Sequence, residues 1–121
     1  MKATSDQMLR LFPRMRVLCG EEVALGPGKA DLLALVAETG SIRAAADRMG
    51  MSYMRAWTLI KTMNACFRKP LVIASRGGKE RGGAIVTPTG NKALELYREL
   101  EAKSVKACAG PWGRLRRLLA D

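Results

Sequence analysis

From Gly40 to Asn64 the chain reads GSIRAAADRMGMSYMRAWTLIKTMN, and no other stretch restricts its fold so tightly. Ser41 can cap a short helix over IRAAADRM, because its hydroxyl accepts a hydrogen bond from a free amide of the first turn. Gly50 breaks that run, since glycine readily adopts the backbone angles of a tight turn. Ser52 caps again, and Ala56, Ile60, Met63 and Phe67 follow at offsets of 0, 4, 7 and 11 with Trp57 beside them, which is the period of a long amphipathic helix. Two helices joined by so short a turn cross steeply and need a small residue where they touch, which Ala45 supplies. The pattern is that of a helix-turn-helix.

In such a unit the second helix keeps one face in the core and presents its N-terminal turns to the DNA major groove, where the base pairs show distinct edges. Ser52, Tyr53, Arg55, Thr58, Lys61 and Thr62 lie off the apolar stripe and can donate to guanine or to phosphate, or approach a thymine methyl. Arg55 is the leading base-reading candidate. Tyr53 and Thr58 are alternatives for phosphate, and Met54 is either an apolar groove contact or surface filling. Ser41 and Arg43 open the preceding helix, whose free amides favour a phosphate. The chain carries a net charge of +10, and residues 41–83 hold nine Lys and Arg against Asp47 and Glu80, or +7. That concentration of charge is the electrostatic footprint expected for double-stranded DNA.

The flanking segments complete a frame. RMRVLCGEEVAL, Arg14 to Leu25, predicts a small hairpin around Gly20-Glu21, ended by Gly26-Pro27-Gly28, and Leu32, Leu33, Val36 and Ala37 predict a helix from Lys29 to Glu38. After Lys69-Pro70, the runs LVIAS and AIVT enclose RGGKERGG and predict a wing-like hairpin, in which Arg76, Lys79 and Arg81 suit a phosphate or the minor groove. Ala93, Leu96, Tyr97 and Leu100 predict a long helix from Thr89 to about Ala107, interrupted by Gly110-Pro111. The tail WGRLRRLLAD sets Trp112, Leu115, Leu118 and Leu119 on one side of a short helix. The expected fold is mainly α with small β hairpins, a winged helix-turn-helix with a long C-terminal dimerisation helix. Its expected divisions are an N-terminal tail at 1–13, a DNA-binding domain at 14–108 that includes the long helix, and a basic amphipathic tail at 109–121.

Other function classes find little support. A chain of 121 residues holds one modest core. There is no histidine, and Cys19, Cys66 and Cys108 fit neither a disulfide framework nor zinc-ligand spacing, so they read as reduced, structural thiols. No carboxylate pair stands out as catalytic, and RGGKERGG lacks the Ser or Thr and the helix that a phosphate-binding Walker loop requires. The expectation is a protein that is not an enzyme and has no cofactor or metal. No apolar run approaches the roughly 20 residues of a membrane span and no cleavable leader is evident, which predicts no membrane partner and a cytoplasmic location.

The combination of Ser52-Tyr53, Ala56-Trp57 and Met63-Asn64, followed by RGGKERGGAIVTPTG from Arg76 to Gly90, resembles the N-terminal DNA-binding domain of the ModE-type molybdate-responsive regulators, and more distantly that of LysR-type regulators. The resemblance covers about residues 14 to 107. It implies a winged-helix homodimer in which Leu96, Tyr97 and Leu100 of the long helix contribute to the subunit interface; packing of Tyr97 and Leu100 on their own domain is the alternative. Family members bind molybdate in C-terminal oligobinding-type domains, and a chain ending at Asp121 leaves no room for one, so no molybdate site is expected here. The wing departs from the family in placing Lys79, Glu80 and Arg81 within the glycine run. The implied function is a sequence-specific transcriptional regulator, acting on a palindromic site near genes for molybdenum or other oxyanion handling. A non-sequence-specific nucleoid or accessory DNA-binding protein is the alternative, and a protein-interaction module on the same fold is a third.

Overall fold

The computed structural model describes residues 9–75 and 83–120. Along these the chain forms β1 (Val17–Cys19), β2 (Glu22–Leu25), α1 (Pro27–Thr39), α2 (Ile42–Arg48), α3 (Tyr53–Cys66), β3 (Val72–Ala74), β4 (Ala84–Val86), α4 (Pro88–Ala107) and α5 (Ala109–Arg116). Helices dominate, and the strands form two separate antiparallel hairpins, β1 with β2 and β3 with β4. The architecture is the winged helix-turn-helix that the residue pattern predicts.

Local chemistry explains most boundaries. Gly20 turns the first hairpin at φ 63°, and Gly40 closes α1 at φ 69° with its amide on the Val36 carbonyl, both in the left-handed region that favours glycine. Gly26-Pro27-Gly28 does more than end the hairpin: Gly26 is the N-cap of α1 and Pro27 opens it, where a missing N–H costs nothing. At the other end Cys108 both closes α4 and caps α5, so Pro111 falls within the first turn of α5 rather than breaking a continuous helix.

The core gathers Leu32, Leu33 and Val36 from α1, Ile42 and Ala45 from α2, and Ala56, Ile60 and Met63 from α3. Leu71 and Val72 at β3 and Tyr97 of α4 close it. Each large aliphatic side chain buried there contributes about 1.5–3 kcal/mol. Trp57 packs half-buried against this cluster, as a core residue should. Ala45 is fully buried where α2 meets α3, so a larger side chain has no room at the crossing.

Two polar side chains fasten the wing's base. Asn64, near the end of α3, accepts from the amides of Leu71 (2.8 Å) and Val72 (3.2 Å) and donates to the Val72 carbonyl (2.9 Å). Thr87 caps α4 by accepting from Gly90 N (3.0 Å) while its hydroxyl donates to the Pro70 carbonyl (2.7 Å). Gly90 sits so close to this strand that an added Cβ would strike the Leu71 carbonyl oxygen and approach Val86 Cγ1 to 2.7 Å.

Tyr97 departs from its expected place at a subunit interface. It is 1% exposed, and its hydroxyl donates to the Met15 carbonyl at 2.7 Å, so it belongs to its own protomer's core. Burial pushes its phenol above the ordinary range, with Glu101 adding to the effect. Leu96 and Leu100 stay exposed on α4, while Arg98 ties that helix to Asp31 of α1 at 2.9 Å. The three thiols are free, with Cys19 and Cys108 exposed and Cys66 partly buried. Desolvation pushes the Cys66 thiol up, helped by the neighbouring Cys19. Among the described residues no helix is long and apolar enough to cross a membrane.

Candidate nucleic-acid interface

The turn between α2 and α3 is tight. Met49 closes α2, Gly50 follows at φ 68°, and the Met51 amide bonds back to the Ala46 carbonyl at 3.0 Å. These bonds fix the angle between the two helices and bring their N-terminal turns close together.

Ser52 caps α3 by accepting from Arg55 N at 3.1 Å, and Ser41 caps α2 by accepting from Ala44 N at 3.0 Å. A serine that accepts in this way still has its own proton to give, so both hydroxyls can donate to a phosphate oxygen. Ser41 is nearly buried, and its backbone pairs with Gly83 while Ala84 N donates to Gly40 O at 3.0 Å, which joins the start of α2 to the base of β4. Arg43 is exposed and its guanidinium lies 4.6 Å from the centre of the Tyr53 ring, so the first turns of α2 and α3 share a cation–π contact.

Along α3 the two faces separate cleanly. Ala56, Ile60 and Met63 are fully buried, whereas Met54, Arg55, Thr58 and Lys61 are exposed, Met54 to 69%. Arg55 and Lys61 pair with no carboxylate among the described residues, unlike Arg48, which is held by Glu38 at 2.7 Å. Thr58 differs from a phosphate donor: its hydroxyl already donates to the Met54 carbonyl at 2.9 Å. What it presents outward is an acceptor oxygen and a methyl group, which suit an exocyclic base amine or a thymine methyl better than a phosphate. Thr62 repeats the arrangement on Thr58 O at 3.0 Å.

Arg76, Lys79 and Arg81, expected in the wing, lie outside the described residues. The strands that lead into it do not, and Ser75 N donates to Gly83 O at 2.9 Å across their open end. Packing of the first hairpin on α3 also brings Arg14, Arg16 and Lys29 round Arg55, a meeting that no linear spacing in the sequence announces.

Residues 29–91 match the bacterial regulatory helix-turn-helix proteins of the LysR family. The chain is 43% identical over 82 residues to the molybdenum-pterin-binding protein MopB of Rhodobacter capsulatus, covering 68% of this chain and 30% of that protein. It is 36% identical over 92 residues to the molybdenum transport protein ModE of Azotobacter vinelandii, covering 76% and 34%. Against the DNA-binding transcriptional dual regulator ModE of Escherichia coli K12 the identity is 38% over 81 residues, covering 67% and 31%. The chain thus spans about a third of the length of these relatives. Among solved structures it is similar to the CbnR_DBD-DNA complex, with a TM-score of 0.50 at 23% identity over 75% of this chain and 93% of that one. A LysR family transcriptional regulator superposes with a TM-score of 0.53 at 17% identity, over 73% of this chain and 28% of that one. These two likenesses establish the fold. With the family match spanning the second hairpin and both helices of the turn, the chain belongs to the LysR family of bacterial regulatory helix-turn-helix proteins and is similar to about a third of ModE.

Proposed function

We propose that this chain is the DNA-reading part of a sequence-specific transcriptional regulator of the ModE-like kind, binding double-stranded DNA as a homodimer. The observation that carries the reading is the division of α3, whose buried stripe locks it into the core while its N-terminal turns stand clear, with Arg55 in no ion pair among the described residues. In this reading Arg55 makes a bidentate contact to a guanine edge, and Tyr53, Thr58 and Lys61 line the groove beside it. Ser41, Arg43 and Ser52 hold phosphates and set the register, and Arg76, Lys79 and Arg81 extend the contact from the wing. Leu96 and Leu100, exposed on α4, supply the apolar seam of the dimer. The work is binding, not catalysis, and its place is the cytoplasm, where bacterial DNA lies. A link to genes of molybdenum handling follows from the names of the relatives alone.

The net charge of +10 favours one rival, a nucleoid or accessory protein that binds any duplex. Selection of bound duplexes from a random pool, followed by competition at physiological salt, separates the two. A regulator keeps about 10³-fold or more preference for its selected site over random duplex. Equal affinity for all duplexes removes the sequence-specific reading.

A further inference from the structure

A cavity of about 420 Å³ opens between the first hairpin, the start of α1 and the exposed side of α3. Arg14 and Arg16 line it from the approach to β1, Lys29 from α1 and Arg55 from α3, with Met51 and Leu59 forming an apolar wall. No carboxylate lines it, and none of these four cations forms an ion pair among the described residues. Four like charges converging on one hollow repel each other unless something neutralises them.

Lys29 sharpens the point. The residue is nine-tenths buried, and among the described residues its ammonium donates to the Val23 carbonyl and has no carboxylate partner. Burying a charge without an ionic partner is costly, and an anion in the cavity would offset that cost. The first turn of α1 reaches the same hollow through Gly26, Pro27 and Gly28, and no side chain caps it. Gly28 leaves the backbone open, since even an added Cβ would meet nothing within 4 Å. Cavity, unpaired cations from three elements and an uncapped helix end all favour the same kind of occupant.

We propose that this cavity is a phosphate-binding site, in which Arg14 and Arg16 grip the anion beside the ammonium of Lys29, while Arg55 at its edge stays free for a base. The phosphate has two possible sources, a backbone phosphate of bound DNA or a free phosphate or diphosphate. Arg14 and Arg16 are then anion-binding residues on the approach to the first hairpin, outside the helix-turn-helix and the wing. The DNA source rests on the DNA-binding reading above; the free-phosphate source does not.

The test uses the full chain, with Arg55 left intact. Inorganic pyrophosphate is titrated calorimetrically at constant ionic strength into the wild type, R14A/R16A and R14K/R16K, and duplex affinity is measured against salt for the same proteins. Both arginines are exposed, so the variants should fold, and R16A alone serves if the double variant does not. Saturable pyrophosphate binding that falls at least tenfold in R14A/R16A and returns in part with R14K/R16K supports the site. A slope of log K against log salt shallower by about 0.9 in R14A/R16A assigns it to one DNA phosphate, and an unchanged slope beside lost pyrophosphate binding assigns it to a free anion. The proposal is overturned if the wild type takes up no pyrophosphate and the slope does not move, or if R114A/R117A, on α5 and at its C-cap, produces the same slope change. A wild type that binds no duplex at all defeats the DNA-binding reading instead, and the pyrophosphate titration then decides this proposal alone.

Discussion

The guanidinium of Arg43 lies over the ring of Tyr53, 4.6 Å from its centre, and so links the first turns of α2 and α3 where Tyr53 packs at the edge of the core. An arginine held on an aromatic face keeps its N–H groups directed sideways, where a phosphate can approach, and loses less rotamer entropy on binding. A double-mutant cycle on Arg43→Ala and Tyr53→Leu should give a coupling energy of about 0.5–1 kcal/mol in urea unfolding. Tyr53→Phe keeps the ring and should keep the coupling. A cycle that closes to zero would mean that the two side chains are merely neighbours.

Arg55 and Arg43 should separate by sequence dependence. Arg55→Ala is expected to cost about 1–3 kcal/mol on the selected duplex and little on random duplex, because a lost base contact is felt only where the base is right. Arg43→Ala should weaken both duplexes by a similar factor, as a phosphate contact does. Fluorescence anisotropy on the two duplexes reads the difference, and equal losses for Arg55→Ala would take base reading away from it.

Local rules were enough for much of this architecture. Ser41, Ser52, Gly20, Gly40 and Gly50 act within a few residues of their own position, so the caps and turns they impose are legible from neighbours alone. The stripe of Ala56, Ile60 and Met63 is legible for the same reason, since helical period fixes which side chains share a face. The same period cannot say which of two partners covers a face, so it leaves open the place of Tyr97, whose hydroxyl meets a carbonyl 82 residues away. The gathering of Arg14, Arg16 and Lys29 round Arg55 was invisible for a related reason: it depends on how the hairpin packs on α3.

Asn64 is a second tertiary device, and its loss should be costly. Asn64→Ala removes three hydrogen bonds and leaves the amides of Leu71 and Val72, both residues fully buried, to find other partners. Each buried group left unsatisfied costs about 1–3 kcal/mol, so a destabilisation of roughly 2–4 kcal/mol is expected after some relaxation. Chemical denaturation measures it, and a loss below about 1 kcal/mol would show that water or the strand itself takes over those amides.

Two glycines in helices should respond in opposite directions to the same substitution. Gly90→Ala drives a methyl into the Leu71 carbonyl at the start of α4, where backbone must move, and should destabilise by at least about 2 kcal/mol. Gly113→Ala in α5 meets nothing within 4 Å and should raise the helicity of that segment, worth about 0.5–1 kcal/mol locally. Thermal melting for the first and circular dichroism for the second are sufficient readouts. Equal behaviour of the two would contradict the packing of α4 on β3.

The dimer proposal now rests on Leu96 and Leu100, and Tyr97 provides an internal control one residue away from Leu96. Leu96→Glu with Leu100→Glu places two carboxylates where an apolar seam is proposed, and should shift the chain to monomer in sedimentation without loss of fold, since both side chains are exposed in the protomer. Tyr97→Phe should leave the oligomeric state unchanged and cost about 1 kcal/mol through the lost bond to the Met15 carbonyl. It should also change the response to alkali. Because burial raises the Tyr97 phenol above its unfolded value of roughly 10, the folded chain holds that proton more tightly than the unfolded chain. The stabilisation is therefore complete below about pH 10 and is lost as pH rises beyond it, a loss that Tyr97→Phe should lack. A Tyr97→Phe chain that dissociates, or a double glutamate chain that stays dimeric, would move the interface away from this face of α4.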